Sequence, residues 1–176
     1  MTARRLALSA AAMMAGALVV GGCTTARLPG AAAIVDEHTI STEQVLTTTN
    51  QLNAALGDKA SPLYNPSAHF SENQTVQWLV LAPFIDKRVA ATGRWVPDDA
   101  YNTTLAALGH PTESTTAVVR GMLSTQAMSA EDKAAVLDDA RHAKISVNPR
   151  YGTLDLFNPY APNWIKPNPT ATPTSP

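Results

Sequence analysis

Residues 76–85, with the sequence VQWLVLAPFI, decide the fold of this chain. Ser71 and Gln74 precede the run at the spacing of a capping box, in which each side chain binds the backbone N–H of the other and a helix begins. A helix that is apolar on all sides is either enclosed by its neighbours or offers a surface to a partner. Pro83 lacks the backbone N–H and crowds the carbonyl of Leu79, so we expect a kink there.

Further helices are predicted on both sides of this run. Ser41 and Gln44 repeat the capping-box spacing and predict the start of a first helix. Asp98 suits the start of a third helix, because a carboxylate complements the positive end of the helix dipole. Apolar residues at helical spacing predict two more helices, over residues 115–128 and 129–142.

Strand patterns stand at the two ends of the helical run. Residues 34–35 are apolar, and residues 36–37 interrupt them in the manner of a tight hairpin, although the glycine typical of such a turn is absent. Residues 145–147 alternate apolar and polar side chains, which is the period of a strand. We therefore predict a mainly α domain with a small β pairing between its N- and C-terminal strands.

The N-terminus has the features of an exported lipoprotein. Residues 1–22 begin with Arg4 and Arg5, continue as an uncharged apolar run and end in small residues, which is typical of a signal peptide. Residues 20–23 (VGGC) resemble the bacterial lipobox, whose cysteine is lipidated and becomes the first mature residue. We expect lipidation of Cys23 and a protein held by its lipid on the outer face of the cell membrane.

The mature chain divides into three parts. Residues 23–30 are the predicted lipidated tether, and residues 31–157 are the predicted helical domain. Residues 158–176 are rich in Pro and Thr, cannot bury enough apolar surface to offset ordering, and are predicted to be a disordered tail. Loss of the two arginines of the signal peptide turns 13 basic and 14 acidic residues into 11 and 14. A net charge of about −3 predicts no nucleic-acid partner.

The order of these segments resembles a known family. The segments that carry the resemblance are residues 34–36, 40–41, 76–90, 96–99 and 145–152, the last with the sequence ISVNPRYG. Together they resemble the SurA N-terminal-like chaperone domain, in particular the short actinobacterial lipoproteins that carry it. The family includes foldases that bind unfolded or extended polypeptides and that often add a parvulin prolyl-isomerase domain. We expect no such added domain here, so the resemblance implies chaperone-like binding without isomerase activity.

No arrangement of residues predicts catalysis. The four histidines are His38, His69, His110 and His142. No two of them have metal-ligand spacing, and none stands beside a cysteine. The pairs at residues 98–99 and 138–139 are adjacent aspartates, which point apart on a helix and do not form an acid–base pair. We expect neither an enzyme nor a cofactor nor a metal site.

A set of large apolar side chains is the predicted client-binding surface. The candidates are Trp78, Phe84, Trp95, Tyr101 and Met122. Aromatic and methionine side chains adapt to varied peptides, but the same residue types also build ordinary cores. We predict a membrane-anchored holdase for unfolded or extended exported polypeptides. The alternative is a structural or adaptor lipoprotein that docks on one folded envelope protein, and a small-ligand-binding lipoprotein is a third, weaker option.

Overall fold

The computed structural model describes residues 30–154 and 165–166. The helices of this part are α1 (Thr42–Gly57), α2 (Glu72–Thr92), α3 (Asp99–Ala107), α4 (Glu113–Ala127) and α5 (Ala130–His142). The strands are β1 (Ala31–Val35), β2 (His38–Ser41), β3 (Ile145–Val147), β4 (Thr153–Leu154) and β5 (Ile165–Lys166). A short 3-10 helix, Pro149–Tyr151, lies between β3 and β4. The prediction of a mainly helical domain with a small β pairing is confirmed, and the sheet is antiparallel.

The sheet joins the two ends of the helical run. Its strand order is β2-β1-β3, and both pairings are antiparallel. Ile34 lies opposite Ser146 and Val35 lies opposite Ile145, which is the predicted pairing. Three short strands are marginally stable alone, and here α1 and α2 pack on the central strand.

The hairpin between β1 and β2 turns without a glycine. Asp36 takes the left-handed conformation, with φ of 53°, which a short polar side chain tolerates better than most. Its N–H donates to the carbonyl of Lys144 at 2.8 Å, and its Oδ1 accepts from the Lys144 N–H at 2.9 Å. The same residue therefore makes the turn and fixes the start of β3.

Local side-chain contacts start the helices where the sequence predicted. The Ser41 hydroxyl accepts from the Gln44 N–H at 3.0 Å, and the Gln44 side chain accepts from the Ser41 N–H at 2.7 Å. Ser71 and Gln74 make the same reciprocal pair before α2. Asp98 caps α3, which begins at the following residue. These starts depend on contacts three residues apart, and so they can be read from short stretches of sequence.

Helix α2 lies at the centre of the domain. Its consecutive residues 79–82 are all buried, and successive residues point to different sides of a helix. It packs against α1, α4, α5 and β1. The helix continues through Pro83, whose ring is exposed. Neighbouring elements therefore cover the apolar run.

A neutral polar cluster is buried where α1, α2 and α4 meet. We call it the threonine cluster; its members are the buried Thr48, Thr49, Thr75 and Thr115 and the half-buried Gln51. The hydroxyls of Thr49 and Thr75 are 2.7 Å apart, and the Thr115 hydroxyl donates to Gln51 Oε1 at 2.6 Å. Buried hydroxyls are tolerated when they are hydrogen-bonded, and these bonds link three helices.

A charged cluster joins α5 to the C-terminal end of α2. We call it the aspartate cluster, and it consists of Asp132, Ser129, Arg88 and Arg94. Asp132 is only 1% exposed, accepts from the Ser129 hydroxyl at 2.8 Å and pairs with Arg88 at 2.8 Å and with Arg94. The Ser129 hydroxyl, helped by the two guanidinium groups, lowers the pKa of Asp132 to about 2.

Part of the predicted disordered tail is paired. Within residues 158–176, Ile165–Lys166 form β5, with Lys166 opposite Thr153 and Ile165 opposite Leu154. The disorder of the segment as a whole stays a prediction. Composition describes a segment as a whole, whereas backbone hydrogen bonding to β4 depends on a strand that lies elsewhere in the sequence.

Several sequence predictions fall outside the described residues. They are the signal peptide, Cys23, most of the tether and the tail on either side of β5. Among the helices that are described, none combines the length and the hydropathy required to cross a bilayer.

Candidate functional site

The five predicted client-binding residues belong to the core or pack against it. Phe84 and Tyr101 are buried, whereas Trp78, Trp95 and Met122 are half-buried against the core. Phe84 follows the exposed Pro83 on α2 but turns inward. The packing of these side chains agrees with the alternative that they build the domain.

Two local contacts hold the aromatic residues in place. The rings of Trp95 and Tyr101 meet edge to face, with centroids 5.5 Å apart and planes at 86°. The ring of Trp78 lies over Gly121 of α4, where a methyl group would be 3.6 Å from Trp78 Cε3. A methyl group at that distance would make ordinary van der Waals contact, so the indole lies close to α4, and both tryptophans have neighbours within the domain.

Large apolar side chains are rarely exposed in the described part of the chain. Leu46 on α1, Tyr64 in the following loop and Val96 in the loop after α2 are 38%, 40% and 69% exposed. They belong to three separate segments. Isolated exposed apolar side chains are normal on a folded surface, whereas a contiguous patch marks a binding surface.

A polar cleft is the best candidate site among the described residues. Its volume is about 480 Å³, which is within the range of small-molecule and peptide sites. It lies between α1, the loop before α2, the first turn of α2 and the 3-10 helix. The lining residues that matter below are Asn50, Asn53, Phe70, Glu72, Asn73 and Arg150.

Hydrogen bonds fix one wall of the cleft. The Asn53 side chain donates to the carbonyl of Phe70 at 2.9 Å and accepts from the N–H of the same residue at 2.8 Å. Beside it, the bond between Thr49 and Thr75 ties α1 to α2. The loop that carries Phe70 is therefore held against α1, and the cleft is preformed.

An ion pair crosses the other side of the cleft. Arg150 lies 3.2 Å from the Glu72 carboxylate, and its guanidinium carbon is 5.4 Å from the centre of the Tyr151 ring. Asn148 accepts from the Arg150 N–H at 3.0 Å, which orients the 3-10 helix. Tyr151 is buried, and its hydroxyl has no hydrogen-bond partner among the described residues. The opposite charges of Arg150 and Glu72 leave this wall close to neutral.

The cleft offers hydrogen bonding rather than reactive chemistry. Of the four histidines, only His69 lines it. Within residues 30–154 and 165–166, no three His, Cys, Asp or Glu side chains gather in a way that suits a metal ion. The Ser71 hydroxyl at its edge is engaged in the helix cap with Gln74. The available groups are amides, one imidazole and a paired guanidinium.

No family model, curated protein or solved structure matches this chain. The function therefore has to be argued from its own residues.

Sequence patterns mark only one wall of the cleft. Residues 145–152 carry the family resemblance, and they contain Arg150 and Tyr151. Asn53 and Phe70 showed no pattern, because their contact joins residues 17 positions apart across a loop. A side-chain amide that binds a distant backbone group leaves no periodic signal in a sequence.

Proposed function

We propose that this chain is a lipid-anchored envelope protein whose folded domain docks on one polypeptide partner. The observation that carries the adaptor function is that the predicted client-binding residues are buried or half-buried against the core. Only three large apolar side chains are exposed in the described part, and they belong to three separate segments of the chain. A holdase for unrelated unfolded chains needs a contiguous apolar surface, so the adaptor function is the better supported of the two.

The lipid anchor is the second element of the proposal. It rests on the uncharged run of residues 6–22 and on Cys23 behind the small residues Gly21 and Gly22. Lipid chains of this kind hold a protein at a membrane when two or more are attached. The anchor would place the domain at the outer face, where an envelope partner is accessible.

Membership of the SurA N-terminal-like family is the third element. It rests on the sequence of residues 145–152, which form β3 and the 3-10 helix and supply one wall of the cleft. Under this proposal the chain keeps a polypeptide-binding role of that family and acts without isomerase activity.

Crosslinking in the native membrane tests the docking function. We expect one dominant protein to be recovered with the full chain after crosslinking, across independent preparations. The purified full chain is also expected to leave the aggregation of an unrelated unfolded protein unchanged at several-fold molar excess. Clear suppression of that aggregation, with many proteins recovered in place of one, would establish the holdase function and overturn the adaptor.

Mass spectrometry of the mature N-terminus tests the anchor. We expect a lipid-modified Cys23 as the first residue, and release of the protein from the membrane fraction for the Cys23→Ser variant. Recovery of a mature protein with an unmodified cysteine, or with residues 1–22 still attached, would contradict the anchoring proposal.

A further inference from the structure

We propose that the cleft binds an extended, uncharged segment of the partner through the side-chain amides of Asn50 and Asn73. This inference rests on the proposed function and names the site at which the partner is recognised. Its basis is a contact that the protein already makes within the same cleft.

Asn53 shows how this cleft binds a peptide backbone. Its amide donates to the carbonyl and accepts from the N–H of one residue, Phe70, at 2.9 and 2.8 Å. A primary amide matches a peptide group in this way because it carries both donors and an acceptor. The contact needs only the main chain of residue 70, so it does not depend on the side chain that this residue carries.

Two further asparagines offer the same group to the cleft. Asn50 precedes Asn53 by three residues on α1, so both lie on one face of the helix. Asn73 stands in the first turn of α2, three residues after Phe70, and also lines the cleft. Asn50 is exposed and Asn73 is half-buried, and neither side chain has a hydrogen-bond partner among the described residues.

The charge of the cleft selects the kind of segment. Arg150 and Glu72 neutralise one another at 3.2 Å, so a charged side chain entering the cleft finds no free counterion. Burying a charge without a partner is unfavourable, whereas the peptide groups of an uncharged segment gain hydrogen bonds to the side-chain amides of Asn50 and Asn73. The occupant is therefore a segment of uncharged residues, recognised chiefly through its main chain.

A glycan is the competing ligand, because its hydroxyls are also uncharged donors and acceptors. A peptide group is favoured because its N–H and C=O match the two ends of an asparagine amide, as residue 70 already shows with Asn53. Hydroxyl groups impose no such pairing of one donor with one acceptor.

Titration followed by nuclear magnetic resonance tests the inference on the full chain in detergent. The probe is an N-acetylated, C-amidated peptide of Gly, Ser, Thr and Ala, and the glycan arm is cellobiose, which carries hydroxyls but no amide. We expect saturable shifts of the side-chain NH₂ signals of Asn50 and Asn73 with the peptide alone. The double variant Asn50→Leu/Asn73→Leu keeps the side-chain size and should weaken peptide binding by about tenfold.

Asn102→Leu is the matched control, because Asn102 is an exposed helical asparagine on α3 that does not line the cleft. It should bind the peptide like the wild type.

The inference is overturned if the peptide shifts neither amide, if the double variant binds equally well, or if only the glycan causes the shifts. Retention of the crosslinked partner by the double variant would also reject the cleft and leave the proposed function intact. If the wild type recovers no crosslinked partner, the proposed function is rejected. The titration then still decides whether the cleft binds peptides.

Discussion

The threonine cluster and the aspartate cluster both bury polar groups between helices, but they do so with different chemistry. In the threonine cluster, neutral hydroxyls and the amide of Gln51 share hydrogen bonds between α1, α2 and α4. In the aspartate cluster, a single carboxylate that is 1% exposed joins α5 to two arginines near the end of α2. The threonine cluster links the helices by several separate hydrogen bonds, whereas the aspartate cluster depends on one carboxylate group.

This difference separates the two clusters in their expected sensitivity. Neutral hydrogen bonds contribute about 0.5–1.5 kcal/mol each, and loss of one leaves the others in place. A buried charged group binds its partners more strongly, and its removal leaves opposite charges without compensation. Only the aspartate cluster also contains a group that titrates with a lowered pKa. The experiments below test this contrast, starting with the largest expected effect.

Removal of the carboxylate is expected to destabilise the domain most. Asp132→Ala deletes the partner of Arg88 and Arg94 and also the capping box that starts α5. Because the arginines are partly exposed, water takes over some of their solvation. We expect Tm to fall by roughly 5–10 °C in thermal unfolding followed by circular dichroism.

Asp139→Ala is the control for that experiment, because Asp139 lies on the same helix with its side chain 44% exposed and pairs with the exposed Lys87. Its Tm should stay close to that of the wild type. Equal Tm values for the two variants would show that the aspartate cluster has no special importance for stability.

Acid should weaken the aspartate cluster and not the threonine cluster. The pKa of Asp132 lies near 2 in the folded protein against an ordinary value of 3.8, so the unfolded chain binds the proton first as the pH falls. The stabilisation from this group is therefore complete above about pH 4 and is lost toward pH 2. Urea unfolding midpoints of the wild type should fall across this window, and those of Asp132→Asn should fall less steeply. Parallel curves for the two proteins would contradict the assignment.

Loss of one hydroxyl from the threonine cluster should have a smaller effect. Thr115→Val keeps the shape of the side chain and removes its bonds to Gln51 and Thr48. We expect a loss of about 1 kcal/mol in the free energy of unfolding, measured in urea, with no added dependence on pH. Thr103→Val, at an exposed position of α3, is the matched control. If Thr115→Val loses as much free energy of unfolding in urea as Asp132→Ala, the contrast between the two clusters does not exist.

The smallest effect is expected at the surface. Lys87 pairs with Asp139 at 3.0 Å between α2 and α5, but its side chain is 72% exposed. Lys87→Ala should therefore change the free energy of unfolding by less than about 0.5 kcal/mol, and high salt should abolish even this difference. A larger loss of the free energy of unfolding, measured in urea, would mean that solvent exposure does not govern the strength of these ion pairs.

The sequence predicted the elements better than it predicted the site. The capping residues Ser41 and Ser71, the hairpin at residues 36–37 and the strand at residues 145–147 are all found where their local patterns placed them. The burial of Phe84 and the packing of the other client-binding candidates could not be decided in advance, because core and binding groove use the same residue types.

The sequence by itself determined where helices and strands begin, since a cap or a strand period depends on residues only a few positions apart. Tertiary structure decided which polar groups meet, as Asn53 meets Phe70 and Arg150 meets Glu72 across the cleft. It also buried Asp132 beside Arg88, 44 positions earlier in the chain. Such contacts depend on how whole helices pack, and the physical reason is that a side chain acquires its neighbours only when distant segments are brought together.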